Sequence, residues 1–323
     1  MVSYNFEDVH LIPRQLSEVS SRKEIDLSIA LDKSEKIKLR MPLLPAPMDT
    51  VSSVAMCRMF YENGMLGMIH RFQSAEDRLA NYSKLINDKM DAFISVGLEE
   101  QKLVELVYQN GARLFTIDVA NGFNNALEPI IKFIRNLGGT YVIAGNVASK
   151  EGFRYLSDLG VDAIRVGIGT GSMCTTSIMT GVGQGIVSAL QECKEVQTKS
   201  GSSAKIIADG GISNAGDIAK SLAAGADLVM VGRLLAGTKE AEGNILKYND
   251  KLYKPYRGSA SFAVQAKSGK NPYYVEGDET IVEYKGSVQN IFDQLEAGLR
   301  SAFSYMAAKD CDSFRRNAKL EIE

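Results

Sequence analysis

The chain is poor in the side chains that metal centres and hydrolytic triads most often use. Only two of its 323 residues are histidines, His10 and His70. A histidine-rich metal centre is therefore excluded, no metal site is predicted, and a Ser-His-Asp triad would have to use one of these two. No CxxC pair exists among the four cysteines, so neither a zinc motif nor a dithiol redox motif is indicated; they are Cys57, Cys174, Cys193 and Cys311.

Strong net charge and long apolar runs are also missing. The formal net charge is −2, which gives no global attraction to nucleic acid or to an anionic membrane. No apolar run approaches the ~20 residues of a membrane-spanning helix, and residues 1–8 do not resemble a secretory signal. A hydrophobic share of 45% with 24% charged residues is typical of a folded globular protein. We therefore expect a cytoplasmic protein with reduced thiols and a small-molecule partner.

Eight short apolar runs, separated by segments with helical spacing, dominate the middle of the chain. Nearly all of the runs are apolar at consecutive positions, which indicates strands buried on both faces of a parallel sheet. They are Leu43–Met48, Met65–Ile69, Ala92–Val96, Leu114–Val119, Tyr141–Ala144, Ala163–Val166, Ile206–Ala208 and Leu228–Val231. This alternation predicts an α/β fold, a single (β/α)8 TIM-barrel domain over residues 1–323. A doubly wound sheet, which more often has five or six strands, is the alternative.

Several segments do not fit the repeat. Residues 1–40 are expected to close the bottom of the barrel, and residues 167–205 form an unusually long connection. Residues 238–285 are polar and follow the last strand, which is typical of an active-site flap. A final helix is predicted at 288–307, followed by a polar tail at about 308–323.

Polar and glycine residues collect where the predicted strands end, which is the rim that carries the active site in this fold. Asp209-Gly210-Gly211 follows the seventh strand and Gly232-Arg233 follows the eighth. Glycines allow backbone N–H groups to approach a phosphate closely, although either pair alone could simply form a tight turn. The Asp209 carboxylate would repel phosphate but suits a sugar diol. The two loops together therefore point to a nucleotide.

Cys174 differs from the other three cysteines in its sequence context. It ends a glycine-rich loop and precedes two threonines, surroundings that can lower a thiol pKa and leave the sulfur accessible. A lone cysteine is more often a small buried apolar residue, and that interpretation is adopted for the other three. Cys174 is the candidate nucleophile.

The residues from Gly167 to Thr176, GIGTGSMCTT, resemble the cysteine loop of the IMP dehydrogenase/GMP reductase family. Further similarities extend along nearly the whole chain. They lie at Tyr4–Val9, Pro47–Val51, Ile69–Phe72, Gly145–Val147, Ile207–Ile212, Tyr256–Gly258, Val275–Gly277 and Tyr284–Gly286.

This resemblance implies roles for matching positions. Cys174 would add to purine C2, while Thr176 and Glu276 would complete the catalytic group. Asp209 would bind the ribose, and Glu276 would contact the purine edge. The other implied substrate-binding residues are Met48, Ser172, Gly210, Gly211, Gly232, Arg233, Tyr256, Arg257 and Gly258. The implied cofactor-binding residues are Asp118, Val119, Ala120, Asn146, Gly167 and Gly169.

The resemblance implies one of two reactions, both through a thioimidate between Cys174 and purine C2. A dehydrogenase converts IMP to XMP with NAD and uses an Arg-Tyr pair on the flap to hydrolyse that intermediate. Here the flap segment from Lys270 to Gly277 has tyrosines but no arginine, which favours NADPH-dependent reduction of GMP to IMP and ammonia. Only residues 74–89 follow the second strand, where dehydrogenases usually insert CBS modules. Pro47 is closer to the dehydrogenases, so an IMP dehydrogenase lacking CBS modules is the alternative.

Three positions depart from the family pattern. Thr170 stands in place of the usual proline, Ser177 in place of a basic residue, and Arg233 in place of a small residue beside the phosphate loop. Arg233 could add a bidentate phosphate contact or point into solvent. The resemblance also implies a homotetramer and allows a potassium ion on the carbonyls of residues 167–174. The choice between NADPH and NADH cannot be read from the sequence.

Overall fold

The computed structural model describes residues 2–32, 35–262, 264 and 277–323. Three short strands, β1 (Val9–Leu11), β2 (Ile29–Ala30) and β3 (Lys38–Leu39), precede an eight-stranded parallel sheet. The strands of that sheet are β4 (Leu43–Pro45), β5 (Gly67–Ile69), β6 (Ala92–Val96), β7 (Leu114–Asp118), β8 (Tyr141–Val147), β9 (Ala163–Val166), β10 (Lys205–Asp209) and β11 (Leu228–Val231).

The order of hydrogen-bonded neighbours is β4-β11-β10-β9-β8-β7-β6-β5. Each strand thus neighbours the one next in sequence, and the first and last strands of this order, β4 and β5, also contact each other. The sheet is a nearly closed barrel, which confirms the predicted (β/α)8 fold and all eight predicted strands.

Helices connect the strands. They are α1 (Val54–Glu62), α2 (Ala75–Asn87), α3 (Gln101–Gln109), α4 (Leu127–Leu137), α5 (Lys150–Asp158), α6 (Thr176–Thr180), α7 (Ile186–Ser200), α8 (Ala215–Ala223), α9 (Gln289–Tyr305) and α10 (Cys311–Asn317). Side-chain caps define several of their starts: Ser53, Ser74 and Ser149 each accept a hydrogen bond from a backbone N–H three residues on. Between β5 and β6 the only helix is α2, which matches the predicted room for one helix.

Two aspartates fix the register of neighbouring strands at the N-terminal end of the barrel. Asp162 directly precedes β9 and accepts the N–H of Val142 in β8 at 2.7 Å. Asp227 directly precedes β11 and accepts the N–H of Ile206 in β10 at 2.9 Å. Both aspartates follow a Gly-Xaa pair in the sequence, so the same short pattern sets the strand register twice.

The β2–β3 hairpin closes the N-terminal end of the barrel, as predicted for residues 1–40. Its buried side chains Ile29, Leu31 and Leu39 pack with inward-facing barrel residues; these include Leu44, Met68, Phe93, Tyr141, Ile207 and Leu228. Burial of this apolar layer stabilises the barrel from below by about 25 cal/mol per Å² of apolar surface removed from water. The polar side chains that follow the strands lie instead at the C-terminal end of the barrel.

Beyond the last barrel strand the chain forms a second, antiparallel sheet. It has the order β12 (Leu246–Tyr248), β13 (Lys251–Arg257) and β14 (Glu279–Glu283), and we call it the rim sheet. It lies within the segment predicted as a flap. The residues predicted as a polar tail form α10 and β15 (Leu320–Ile322), and β15 pairs with β1. No helix of the described segments has the length and apolarity that crossing a bilayer requires.

Candidate active site

A cavity of about 330 Å³ opens at the C-terminal end of the barrel strands. It brings together nearly all of the residues that the sequence singles out. On its wall lie the predicted catalytic residues Cys174 and Thr176; the predicted substrate-binding residues Met48, Ser172, Asp209, Gly210, Gly211, Gly232, Arg233, Tyr256 and Gly258; and the predicted cofactor-binding residues Asp118, Val119, Ala120, Asn146, Gly167 and Gly169. Glu276 lies outside the described residues.

Cys174 is the one cysteine of the four that is partly exposed to solvent. Burial raises the pKa of Cys57, Cys193 and Cys311 to about 12 in each case, so these thiols stay protonated at neutral pH. Since the thiolate is the reactive form, accessibility separates Cys174 from the three structural cysteines.

The Cys174 thiol donates a hydrogen bond to the Thr176 hydroxyl, with a Sγ–Oγ1 distance of 3.2 Å. Thr176 is the first residue of α6, so the turn that starts this helix brings the two side chains together. Cys174 also forms a β-bridge with Gly277, and the N–H of Asp278 donates to the Met173 carbonyl at 3.0 Å. The cysteine loop is therefore attached to the chain just before β14.

The cysteine loop lies against the Asp-Gly-Gly segment so closely that side chains are excluded at two positions. Gly167 has a φ of +142°, and a Cβ there would stand 1.9 Å from the Asp209 carbonyl oxygen. Gly210 has a φ of +103°, and its Cβ would stand 2.4 Å from Thr170 Oγ1. The Thr170 hydroxyl in turn donates to the Asp209 carbonyl at 3.2 Å. This departure from the family's proline thus adds a bond between the two loops.

Ser177, the second departure, also bonds within the loop. Its hydroxyl donates to the Gly169 carbonyl at 3.3 Å. The Thr170 bond therefore joins the cysteine loop to the Asp-Gly-Gly segment, the Ser177 bond lies within the loop, and neither side chain carries a charge.

A buried network of ion pairs crosses the floor of the cavity. The Arg165 guanidinium donates to Asp118 at 2.5 Å and to Asp209 at 2.8 Å, and Arg71 donates to the second Asp118 oxygen at 3.2 Å. Asn146 completes the network by donating to Asp209 at 2.8 Å. Burial opposes ionisation of Asp118, but the Arg165 and Arg71 charges outweigh it and lower the pKa of that carboxyl. Burial also opposes the charge of Arg165, but the Asp209 and Asp118 carboxylates outweigh it and raise the pKa of the guanidinium.

Two hydroxyls mark the end of the cavity next to the eighth barrel strand. Ser172 and Tyr256 stand 3.3 Å apart, oxygen to oxygen. Burial raises the pKa of Tyr256, so its phenol stays protonated and able to donate at neutral pH. A side chain at position 232 would crowd these groups, because its Cβ would lie 2.8 Å from the Met48 sulfur and 3.4 Å from the Tyr256 oxygen. Glycine at this position avoids that clash. Hydroxyl donors beside a glycine turn are groups that suit an oxyanion ligand.

Arg257 does not lie on the cavity wall, although the sequence placed it among the substrate-binding residues. Its Nε donates to both carboxylate oxygens of Asp49, at 3.1 and 2.9 Å, and its backbone N–H donates to Thr50 at 3.2 Å. Asp49 is buried and follows the first barrel strand. This ion pair fastens the rim sheet to the barrel.

Arg165 is the main site residue that the sequence interpretation missed. It sits inside the apolar run Ala163–Val166, where it was treated as part of a buried strand. A single charge in an otherwise apolar buried strand needs a charged partner, and that signal could have found it. Arg71 and Phe72 also line the cavity, with the guanidinium carbon 4.7 Å from the ring centroid.

Comparisons with known proteins agree with this arrangement. A family model described as IMP dehydrogenase / GMP reductase domain matches residues 3–322. A protein named GMP reductase from Bacillus anthracis is 39% identical over 320 residues, covering 97% of this chain and 93% of its own length. A GMP reductase from Staphylococcus saprophyticus is 38% identical over 98% of this chain and 94% of its own, and one from Lactobacillus delbrueckii subsp. bulgaricus is 37% identical over the same shares. The chain therefore belongs to the IMP dehydrogenase/GMP reductase family.

Proposed function

We propose that the protein is a GMP reductase, which converts GMP to IMP and ammonia at the expense of NADPH. The observation that carries the proposal is the Cys174–Thr176 pair, a partly exposed thiol bonded to a hydroxyl at 3.2 Å on the cavity wall. The names of the similar proteins support the choice of reaction.

In this proposal the Cys174 thiolate attacks purine C2 and forms a C–S bond. The exocyclic amino group must gain a proton before it leaves as ammonia, because a neutral amine is a poor leaving group. Thr176, which already contacts the sulfur, is proposed to pass that proton together with Glu276. Loss of ammonia gives a thioimidate. Once C2 is reduced, the C–S bond breaks, and IMP and the thiolate are released.

NADPH would supply the hydride, and the residues of the cavity floor are proposed to hold it. The residues concerned all line the cavity and lie at or just after the ends of three neighbouring barrel strands, β7, β8 and β9; they are Asp118, Val119, Ala120, Asn146, Gly167 and Gly169. The chemistry of these residues fits a polar cofactor, because Asp118 stays ionised and can accept hydroxyl or amide hydrogens. Asp209, the other carboxylate that pairs with Arg165, is proposed to accept hydrogen bonds from the ribose hydroxyls of GMP.

A potassium ion on the cysteine loop finds less support. The carbonyls of Gly167, Gly169 and Gly171 already accept hydrogen bonds from Asn146, Ser177 and Cys174. An ion would have to replace or share these bonds, so no step of the proposal depends on it.

The direct test follows NADPH absorbance when GMP is added. We expect oxidation of NADPH with release of one ammonia per IMP formed. Cys174→Ala should lower kcat by roughly 10⁴-fold or more while GMP still binds. Reduction of NAD by IMP, without turnover of GMP, would instead identify a dehydrogenase. Nucleotide binding with neither reaction would identify a non-catalytic family member.

A cytoplasmic homotetramer completes the proposal. It rests on the family resemblance, and the exposed apolar residues Ile178, Met179 and Val182 beside the cysteine loop would suit a subunit contact. Light scattering at micromolar concentration distinguishes a tetramer from a monomer.

A further inference from the structure

Two cations lie close to one another beside the cavity: Arg233, which lines it, and Lys285, which contacts the Arg233 backbone. Arg233 is exposed and contributes to the cavity wall. The Lys285 ammonium, from the end of the rim sheet, donates to the carbonyl oxygens of Arg233 and Leu234 at 2.8 and 3.1 Å. The lysine therefore fixes the backbone from which the arginine side chain projects.

Neither cation has a carboxylate within 4.0 Å among the residues that the structure describes. Burial of Lys285 and the charge of Arg233 together lower the pKa of this lysine, a sign that the two like charges act on each other. Arg165 on the cavity floor and Arg78 near the end of β6 show the opposite pattern, since each is paired with a carboxylate. Two neighbouring cations without a carboxylate partner in the described part of the chain, one of them on a cavity wall, suit an anion that arrives with a ligand.

Of the two hydroxyls proposed to receive the first phosphate, only that of Tyr256 belongs to a buried residue, because Ser172 is exposed like Arg233. Tyr256 is 3% exposed, and its hydroxyl lies beside that of Ser172 and beside the open space at Gly232. These groups suffice to receive one phosphate. Arg233 follows Gly232 directly, is exposed and lines the cavity, so its five N–H donors are accessible to a ligand there.

We propose that Arg233, supported by Lys285, binds a second phosphoryl group, so that the site accepts a purine nucleoside diphosphate as well as the monophosphate. This inference rests on the proposed function, since it takes the first phosphate to lie at Ser172 and Tyr256. A planar guanidinium can meet the terminal phosphate with two parallel N–H donors, which a small residue at this position could not do. Arg233 thereby sets how many phosphates the site recognises.

Isothermal titration of the full chain with GMP and GDP tests the inference. We expect GDP to bind at least as tightly as GMP and to compete with it. Arg233→Gln should weaken GDP binding about 30-fold and GMP binding about threefold or less. Lys247→Gln removes an exposed charge of β12 and should change neither affinity. Retained GMP binding shows that the arginine variant is folded.

Three results would overturn the second subsite: no binding of GDP, equal weakening of both nucleotides in Arg233→Gln, or no change in either. Equal weakening would place Arg233 on the first phosphate. These outcomes are separable from failure of the proposed function. An enzyme that reduces GMP but does not bind GDP refutes only this inference, whereas arginine-dependent GDP binding without GMP reduction refutes only the proposed reaction.

Discussion

Two N–H groups of Arg165, Nε and Nη2, donate to the same carboxylate oxygen of Asp209, at 3.0 and 2.8 Å. The remaining nitrogen of the guanidinium reaches Asp118 on the other side. Arg165 thus fixes the distance between the proposed ribose acceptor and the proposed cofactor contact. Because β9 lies between β8 and β10, a side chain that points inward from it can reach carboxylates contributed by both halves of the sheet.

Replacing Arg165 with Gln should therefore affect both substrates at once. It leaves two buried carboxylates without their shared cation, and the free energy of unfolding should fall by about 3–5 kcal/mol. We expect the KM values for GMP and NADPH to rise together, measured by initial rates, with unfolding followed by urea titration.

Two further variants serve as controls for Arg165→Gln. Arg165→Lys keeps the charge but loses the planar fork, so it should recover most of the stability and only part of the KM effect. Arg154→Gln changes an exposed arginine and serves as the matched control. An Arg165→Gln enzyme with unchanged stability and unchanged KM values would refute the positioning role.

Thr176→Val tests the hydroxyl that contacts Cys174, the proposed nucleophile. Valine has nearly the same shape, so the helix start should persist while proton transfer to the leaving amine is lost. General acid catalysis typically contributes 10²–10⁴-fold, and we expect kcat to fall by roughly that factor with little change in KM for GMP. Thr175→Val is the matched control, because its side chain makes no capping bond. An equal loss in both variants would mean that the effect comes from packing alone.

The barrel was predictable because its signal is local and repeated. Each buried strand is a short apolar run, and the strand ends bring Asp118, Asn146 and Asp209 to one rim by topology alone. The rim sheet was not predicted, because β12 and β14 are mostly exposed and carry no apolar alternation. The contacts that hold the rim sheet to the barrel join residues more than 200 positions apart in sequence, such as Arg257 of β13 and Asp49.

The roles of individual arginines were harder to predict than the location of the site. Arg257 resembled a ligand-binding residue because it adjoins Tyr256 in the sequence. In the strand β13, however, consecutive side chains point to opposite faces, so Tyr256 lines the cavity while Arg257 turns to Asp49. Arg165 was overlooked for the converse reason, since its neighbours made it part of an apolar strand.

Lys254→Met should loosen the connection between the rim sheet and the loop after the eighth barrel strand. The Lys254 ammonium is buried and donates to the carbonyls of Thr238, Lys239 and Ala241. Methionine fills the volume but leaves these carbonyls without their donor, so the free energy of unfolding should fall by about 2–3 kcal/mol in urea titrations. Lys251→Met, an exposed lysine of the same strand, should change stability little. Equal stability of the two variants would show that the buried ammonium is dispensable.

The ion pair between Arg78 and Glu100 should make the barrel sensitive to acid. Arg78 is 3% exposed and donates to both carboxylate oxygens of Glu100, one of them at 2.7 Å. Burial opposes ionisation of Glu100, but its bonds with Arg78 and with the Gly97 N–H outweigh it and lower the pKa of the carboxyl below 4.5. The folded state then binds the proton more weakly than the unfolded state does. The ionised Glu100 carboxylate therefore stabilises the fold fully above about pH 4.5. This stabilisation is lost as the pH falls through the lower pKa that Glu100 has in the folded state.

Glu100→Gln removes the titrating carboxyl and so measures how much the ionised Glu100 contributes to the free energy of unfolding. At pH 7 the variant should be less stable than the wild type by about 2–3 kcal/mol, since a buried guanidinium loses its charged partner. The difference should shrink as the pH falls below 4.5, because the protonated wild-type carboxyl then resembles the amide. Glu99→Gln changes an exposed neighbour and should leave the pH profile as it is. Urea titrations between pH 7 and pH 3 measure all three proteins, and a stability difference between Glu100→Gln and wild type that stays constant across this range would contradict the assigned pair.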